Sequence, residues 1–276
     1  MKMFDKAAII GTGLIGGSIA LGLKKKNLCR QVTGLGRHRN NLLLARRRGV
    51  IDLAASSLRE IKDADLVILA LPVSEIIRQA PAISAAVRKD CVVFDVGSTK
   101  TGIVKKLTGL FPLFVGTHPL AGSEKKGVIN ANADLFRGCL CVITPQKNTN
   151  RRAMAKVVKL WKALGAKVRK MPPELHDRAL GFVSHLPHLA AFSLINAIPG
   201  QFLGLSPASL KDSTRIASSD SRLWADIIMD NRKNCLETLS SLRAELRTLD
   251  SALRSGKKSR LAGLLERAKK RRDSLK

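Results

Sequence analysis

The sequence predicts an α/β domain built on a parallel sheet over residues 1–172, followed by an all-helical domain over residues 173–276. Three observations carry this prediction. Short apolar runs alternate with helical patterns as far as Met171, the pattern of consecutive βαβ units. A glycine-rich turn, Gly11-Thr12-Gly13-Leu14-Ile15-Gly16-Gly17-Ser18, separates the first run from the first helical pattern. From Glu174 onward the strand signals stop, and leucines recur at helical spacing.

Residues 7–10 are the first predicted strand. The helical pattern after it (Leu14, Ile15, Ile19, Leu21, Leu23) closes on Lys24-Lys25-Lys26, where cations favour a helix C-terminus. Residues 31–35 are the second strand. The glycine turn therefore opens a βαβ unit, the context in which G-x-G-x-x-G signals a dinucleotide. Gly11 permits the tight turn, Gly13 a close approach of pyrophosphate, and Gly16 helix–strand contact. Leu14 and Ile15 head the helix whose N–H groups would face the phosphates. The fold class is thus α/β, with an N-terminal Rossmann-like dinucleotide-binding domain and a helical C-terminal domain. The second strand runs into Gly36-Arg37-His38-Arg39, with no acid for a ribose 2′-hydroxyl. Arg37 and Arg39 stand where a 2′-phosphate would lie, which favours NADP over NAD.

Residues 40–48 read as a helix closed by Gly49, and residues 65–71 as a strand ending at Pro72. Residues 74–87 read as a helix that Pro81 should kink or break. Two further strands, residues 91–94 and 113–115, each run into a polar phrase. These are Asp95-Val96-Gly97-Ser98-Thr99-Lys100 and His118-Pro119-Leu120-Ala121-Gly122-Ser123-Glu124. Ligands of open parallel sheets sit at strand ends, so two such phrases mark one crevice. Residues 139–144 form a strand with Cys139 and Cys141 on one face; a helix at 151–164 and a last strand at 166–171 complete the domain.

The helical domain begins with a long pattern over 174–198 that contains His176, His185 and His188, with Pro187 as the expected kink. Helical patterns at 215–221 and 223–255 follow a loop near 199–210. In the longer one, Leu239, Leu242, Leu246, Leu249 and Leu253 make a heptad-like seam. The seam is read as core of the chain, with a helical dimer interface as the alternative. After Gly256 comes a basic helix carrying Leu261, Leu264 and Leu265.

Composition bounds the function. With 276 residues, 45% hydrophobic, and a mean hydropathy of +0.01, the chain has ordinary globular character. Apolar stretches such as residues 66–73 are too short for a bilayer, and residues 1–6 lack a signal-peptide core, so a cytoplasmic protein without membrane attachment is expected. Five cysteines without a CxxC pair read as buried reduced thiols. A net charge of +28 suits anionic partners. Aromatics at 4%, no tyrosine and no basic–aromatic interleaving argue against specific nucleic-acid binding. Residues 254–276 hold ten Lys or Arg against two acids, read as solvated surface.

His118, just past a strand end in the crevice, suits general-base work. Ser98 faces the same space, and Arg215 in Asp212-Ser213-Thr214-Arg215 suits bidentate grip of a carboxylate. His185 and His188 share a helix face, but no ligand spacing is completed around them, so no metal is expected.

These phrases, with Ser184-His185-Leu186-Pro187-His188, Asp212-Ser213-Thr214-Arg215 and Trp224, resemble the prephenate/arogenate dehydrogenases of tyrosine biosynthesis over roughly residues 7–240. The resemblance implies oxidative decarboxylation of a cyclohexadienyl substrate: hydride leaves the ring carbinol for nicotinamide as CO2 departs, driven by aromatisation. It implies that His118 takes the proton of the ring hydroxyl, that Ser98 supports that hydroxyl and that Arg215 grips a substrate carboxylate. It further implies that His185, His188, Ser123 and Trp224 line the substrate pocket and that a homodimer forms through the helical domains. Prephenate is the first expected substrate. Asp177 is the expected selector of arogenate, whose ammonium it would pair. The rivals are a β-hydroxyacid dehydrogenase, whose catalytic Lys residues 174–198 do not offer, and a dinucleotide-sensing DNA-binding regulator.

Overall fold

Strands covered on both faces need apolar side chains at every position, and the central runs supply them. In the computed structural model, which describes residues 2–121 and 127–275, the N-terminal part holds β1 (Phe4–Ile10), α1 (Leu14–Lys25), β2 (Cys29–Leu35), α2 (Arg39–Arg47), β3 (Leu53–Ala55), β4 (Leu66–Leu69) and α3 (Val73–Ala86). It continues through β5 (Val92–Asp95), α4 (Thr101–Leu107), β6 (Phe114–Val115), β7 (Thr117–Pro119), β8 (Leu140–Ile143), α5 (Arg151–Ala163) and β9 (Lys167–Lys170). Six strands form a parallel sheet in the order β3-β2-β1-β4-β5-β6. Alternation in β4 sends Leu66 and Ile68 to one core, with α1, α2 and α5, and Val67 and Leu69 to the other, with α3 and α4. Trp161 fills the first core edge-on to Phe94 and Phe136.

The remaining strands make a second sheet, β7-β8-β9, with β7 antiparallel to β8 and β8 parallel to β9. This differs from a single open sheet, and it moves His118. The residue lies within β7, opposite Val142, rather than in a loop beyond a strand end. Gly116 makes the passage between the sheets possible, since a Cβ there would meet Thr144 Oγ1 at 2.5 Å. Cys139, just before β8, is half-buried and Cys141 is fully buried, and both pack against the core that holds Trp161.

Pro81 breaks nothing: α3 runs through it unbroken. The ring is exposed, so solvent can satisfy the carbonyl that its missing N–H leaves.

The helical part contains α6 (Pro173–Leu180), a π-helical turn (Gly181–His185), α7 (Leu186–Ala197), α8 (Ala208–Thr214), α9 (Ser221–Asp230), α10 (Arg232–Arg254) and α11 (Lys258–Asp273). The helix expected over 174–198 therefore runs without a break from Pro173 to Ala197, with a π turn before Pro187 in place of the expected kink. The leucine seam of α10 is not core. Leu246 and Leu253 are 55% and 64% exposed, and α11 folds back on another side of α10 through an Arg267–Glu245 ion pair.

The two parts are tied by carboxylates set against helix N-termini. Asp177 of α6 accepts the Lys100 and Thr101 N–H groups at the start of α4 at 2.7 and 2.8 Å. Asp226 of α9 accepts the Ser74 N–H in the first turn of α3 at 3.1 Å. Both positions favour negative charge and satisfy donors that a helix leaves open.

Candidate active site

The carboxyl ends of β1, β4 and β5 open onto a cavity of about 730 Å³ between the two parts. Its lining includes Gly13, Ser98, His118, His188, Arg215 and Trp224. The structure thus brings together residues spread over some two hundred positions of sequence.

The nucleotide end fits a dinucleotide. Gly11 has φ +100°, and a Cβ on it would lie 2.2 Å from the Ala70 carbonyl oxygen. A Cβ on Gly16 would lie 2.1 Å from the Gly11 oxygen, so both glycines are demanded by close backbone packing. A Cβ on Gly13 would meet nothing within 4 Å. No side chain caps α1, and its first turn holds no acid, which suits a pyrophosphate on its N–H groups. Leu14 and Ile15 line the same end of the cavity. Beyond β2, exposed Arg37 and Arg39 flank a shallow depression with His38, Asn40 and Asn41.

At the other end, β7 is fixed from behind by a buried cluster. Lys100 and Asp95, both fully buried, form an ion pair, and Lys100 Nζ donates to the Thr117 carbonyl at 2.9 Å. Asp95 also accepts the Gly97 and Thr117 N–H groups at 2.8 and 3.2 Å. Burial pushes the Asp95 carboxyl up, and Lys100 and these donors pull against it. The cluster joins the end of β5 to the strand that carries His118.

His118 Nδ1 lies 2.9 Å from His176 Nε2, and His176 Nδ1 lies 2.8 Å from Asp177 Oδ1. Burial holds the His118 imidazolium well below the usual histidine range, and its neighbours His176, Lys100 and His185 further disfavour a positive charge there. His118 is therefore neutral at neutral pH. Burial also lowers His176 against the pull of Asp177, and lowers His185 to about 4. His185 is fixed by Asn231 Nδ2, which donates to its Nδ1 at 3.0 Å. His188 donates from Nδ1 to the Ser184 carbonyl at 3.0 Å, and its ring stacks on Trp224 with centroids 3.4 Å apart. Arg215 follows α8 and reaches the cavity from its helical wall.

Two expectations change. Asp177 does not line the cavity: both its oxygens are engaged by Lys100, Thr101 and His176, so it is not placed to meet a substrate ammonium. Ser123 lies outside the described residues. Among the described residues, the acid that lines the cavity is Asp220, which also caps α9 through the Leu223 N–H at 2.8 Å. Sequence reasoning missed His176, Lys100 and Asp95. The available signal was an adjacent His-Asp pair just after Pro172-Pro173, at the start of a helix. Among the described residues no group of His, Cys, Asp and Glu is arranged to hold a metal.

Family comparisons agree with this geometry. Residues 19–170 match the prephenate dehydrogenase nucleotide-binding domain and residues 172–267 the prephenate dehydrogenase dimerization domain. The chain belongs to the prephenate dehydrogenase family. As a member of that family it is an NAD(P)-dependent oxidoreductase. It is 34% identical to a cyclohexadienyl dehydrogenase of Zymomonas mobilis, over 92% of this chain and 90% of the relative. It is 32% identical to the prephenate dehydrogenase of Bacillus subtilis, over 99% of this chain and 77% of the relative. A solved prephenate dehydrogenase from A. aeolicus, in complex with hydroxyphenyl propionate and NAD+, is 32% identical with a TM-score of 0.93, covering 99% of this chain and 98% of its own. A Synechocystis arogenate dehydrogenase is 27% identical with a TM-score of 0.83, covering 97% and 99%.

Proposed function

We propose that this family member converts prephenate to 4-hydroxyphenylpyruvate by oxidative decarboxylation. The observation that carries the reading is a neutral His118 in a cavity bounded by the glycine turn on one side and Arg215 on the other. When bound, the nicotinamide supplies the oxidant that takes hydride from the ring carbinol. His118 accepts the proton of the ring hydroxyl, and Ser98 offers that hydroxyl a second hydrogen-bond partner. Arg215 holds a substrate carboxylate, and the stacked His188–Trp224 pair forms an apolar wall that excludes water. Aromatisation of the ring supplies the driving force as CO2 leaves.

Arogenate is the second reading, favoured by Asp220 in the cavity lining, a carboxylate able to pair with an ammonium. The coenzyme preference we infer is NADP+ at least equal to NAD+, because Gly36 removes the acid and Arg37 and Arg39 can pair with a 2′-phosphate. We further infer a homodimer through the helical domains, a division at about residue 172, and a cytoplasmic location. Five free thiols suit a reducing compartment, and among the described residues no helix is long and apolar enough to cross a membrane.

The test is a steady-state assay crossing prephenate and arogenate with both coenzymes, in wild type and His118→Asn. The variant should lose about 10²–10⁴-fold in kcat with little change in KM. The lowered His118 pKa sets the sign of the pH profile: activity is full above it and falls as pH drops through it, below the usual histidine range. That acid limb should vanish in the variant. Near-normal kcat with the limb retained would return His118 to a structural role.

A further inference from the structure

Resting on the reading of His118 as proton acceptor, we propose that His176 and Asp177 are positioning residues that hold His118 in one tautomer, with its Nε2 lone pair presented to the substrate hydroxyl. Donor and acceptor counting fixes the direction of every bond in the chain. Asp177 accepts the Lys100 N–H at Oδ1 and the Thr101 N–H at Oδ2, at 2.7 and 2.8 Å, and backbone donors cannot reverse. Burial raises its carboxyl, but hydrogen bonds from His176, Thr101 and Lys100 outweigh this and hold it below the usual range, so it is ionised and an acceptor only. The 2.8 Å contact from His176 Nδ1 to Oδ1 therefore makes Nδ1 the donor.

A neutral imidazole carries one N–H, and His176 is fully buried, which disfavours a second proton. Its Nε2 is then an acceptor, and His118 Nδ1, 2.9 Å away, must donate to it. The lone pair of His118 is left on Nε2, the ring nitrogen that His176 does not engage, on a ring that lines the cavity. The other charged or titratable groups near the ring are Lys100, whose charge is matched by Asp95, and His185. When Nε2 takes the hydroxyl proton, the His118 Nδ1–H stays where it is. The imidazolium formed is stabilised by the bond to His176 and, through it, by the Asp177 carboxylate. No proton needs to pass beyond His118.

The relay also explains why these residues come from different parts of the chain. His118 is on β7 and the His176–Asp177 pair is on α6, and the same Asp177 anchors α6 to the start of α4. The tautomer is thereby set by the docking of the helical part on the nucleotide part.

The experiment is long-range ¹H–¹⁵N correlation on the ¹⁵N-histidine-labelled full chain, paired with steady-state kinetics of His176→Phe and His176→Gln. Wild-type His118 should appear as the neutral Nδ1–H tautomer. His176→Phe removes the acceptor, so Nε2–H should become populated and kcat should fall roughly 10²-fold with KM within about twofold. His176→Gln supplies a carbonyl acceptor and should recover both the tautomer and most of the rate. A wild-type His118 protonated at Nε2 overturns the proposal, as does wild-type kcat in His176→Phe or a Gln variant no better than Phe. A chain with the Nδ1–H tautomer that does not oxidise prephenate upholds the hydrogen-bond assignment and overturns the functional reading instead.

Discussion

In the α/β half, Ile9, Leu66, Ile68 and Phe94 are covered completely from both faces of the sheet, whereas along α10 of the helical half Leu236, Leu246 and Leu253 are 53%, 55% and 64% exposed. The groups the helical half does bury are to a large extent polar: His176, Asp177, His185, Asn231 and Thr238. Much of its interior is thus polar, and several of its leucines face outward. A helix bundle with so little core of its own needs a further surface to cover those leucines. The α/β half needs none, because two helical layers already cover its sheet. One half is self-sufficient; the other, on the function proposed above, is a substrate wall completed by association.

The largest expected effect breaks this contrast at α10. Leu246 and Leu253 lie seven residues apart on one face, so Leu246→Glu with Leu253→Glu puts two charges into the inferred interface. Two lost anchors at about 2 kcal/mol each correspond to a rise of about 10³-fold in dimer Kd. Light scattering after gel filtration should show a 29.9 kDa species where the wild type shows twice that mass, with unchanged circular dichroism. A variant that keeps the wild-type mass would exclude this face.

A smaller effect sharpens the division of labour. Arg37→Ala with Arg39→Ala should raise KM for NADP+ about 10- to 100-fold and leave that for NAD+ and for prephenate alone, since charged hydrogen bonds contribute about 1.5–3 kcal/mol. Arg215→Ala should do the reverse, raising the substrate KM on a similar scale and sparing both coenzymes. Equal shifts for both coenzymes in the first variant would mean that the arginines do not read the phosphate.

The contrast between the halves also decides how much could be read from sequence. Where burial is two-sided, as in β4 and β5, the apolar run alone locates the strand to within a residue or two. The glycine turn is equally readable, because Gly11 and Gly16 are required by contacts inside one βαβ unit. The leucine seam misleads because heptad spacing says which face is apolar but not what covers it. Asp177 misleads in another way. Its neighbours in sequence suggest the pocket, while its actual partners, Lys100 and Thr101, are more than seventy residues away. His118 was found for its chemistry, although its strand was not. Three residues in register on β8 place it, and no local pattern reports such a partner.

The smallest predicted effect tests the seam between the halves. Helix α3 begins after Pro72, which offers no side-chain cap, so the Ser74 N–H is among the donors a first turn leaves open. The cap comes instead from the other half of the molecule, where Asp226 of α9 accepts that N–H at 3.1 Å. A carboxylate there also complements the helix dipole. Asp226→Ala should therefore cost about 1 kcal/mol, as the loss of an N-cap does, and lower Tm by about 2–4 °C. Because α9 carries Leu223, Trp224 and Ile227 into the cavity wall, the substrate KM should rise slightly while both coenzyme KM values hold. Asp226→Asn keeps an acceptor oxygen and should stay closer to wild type in Tm and KM. If the Asn variant falls as far as the Ala variant, charge rather than the hydrogen bond joins α9 to α3. If neither changes Tm or KM, the Asp226 contact contributes nothing to holding the two halves together.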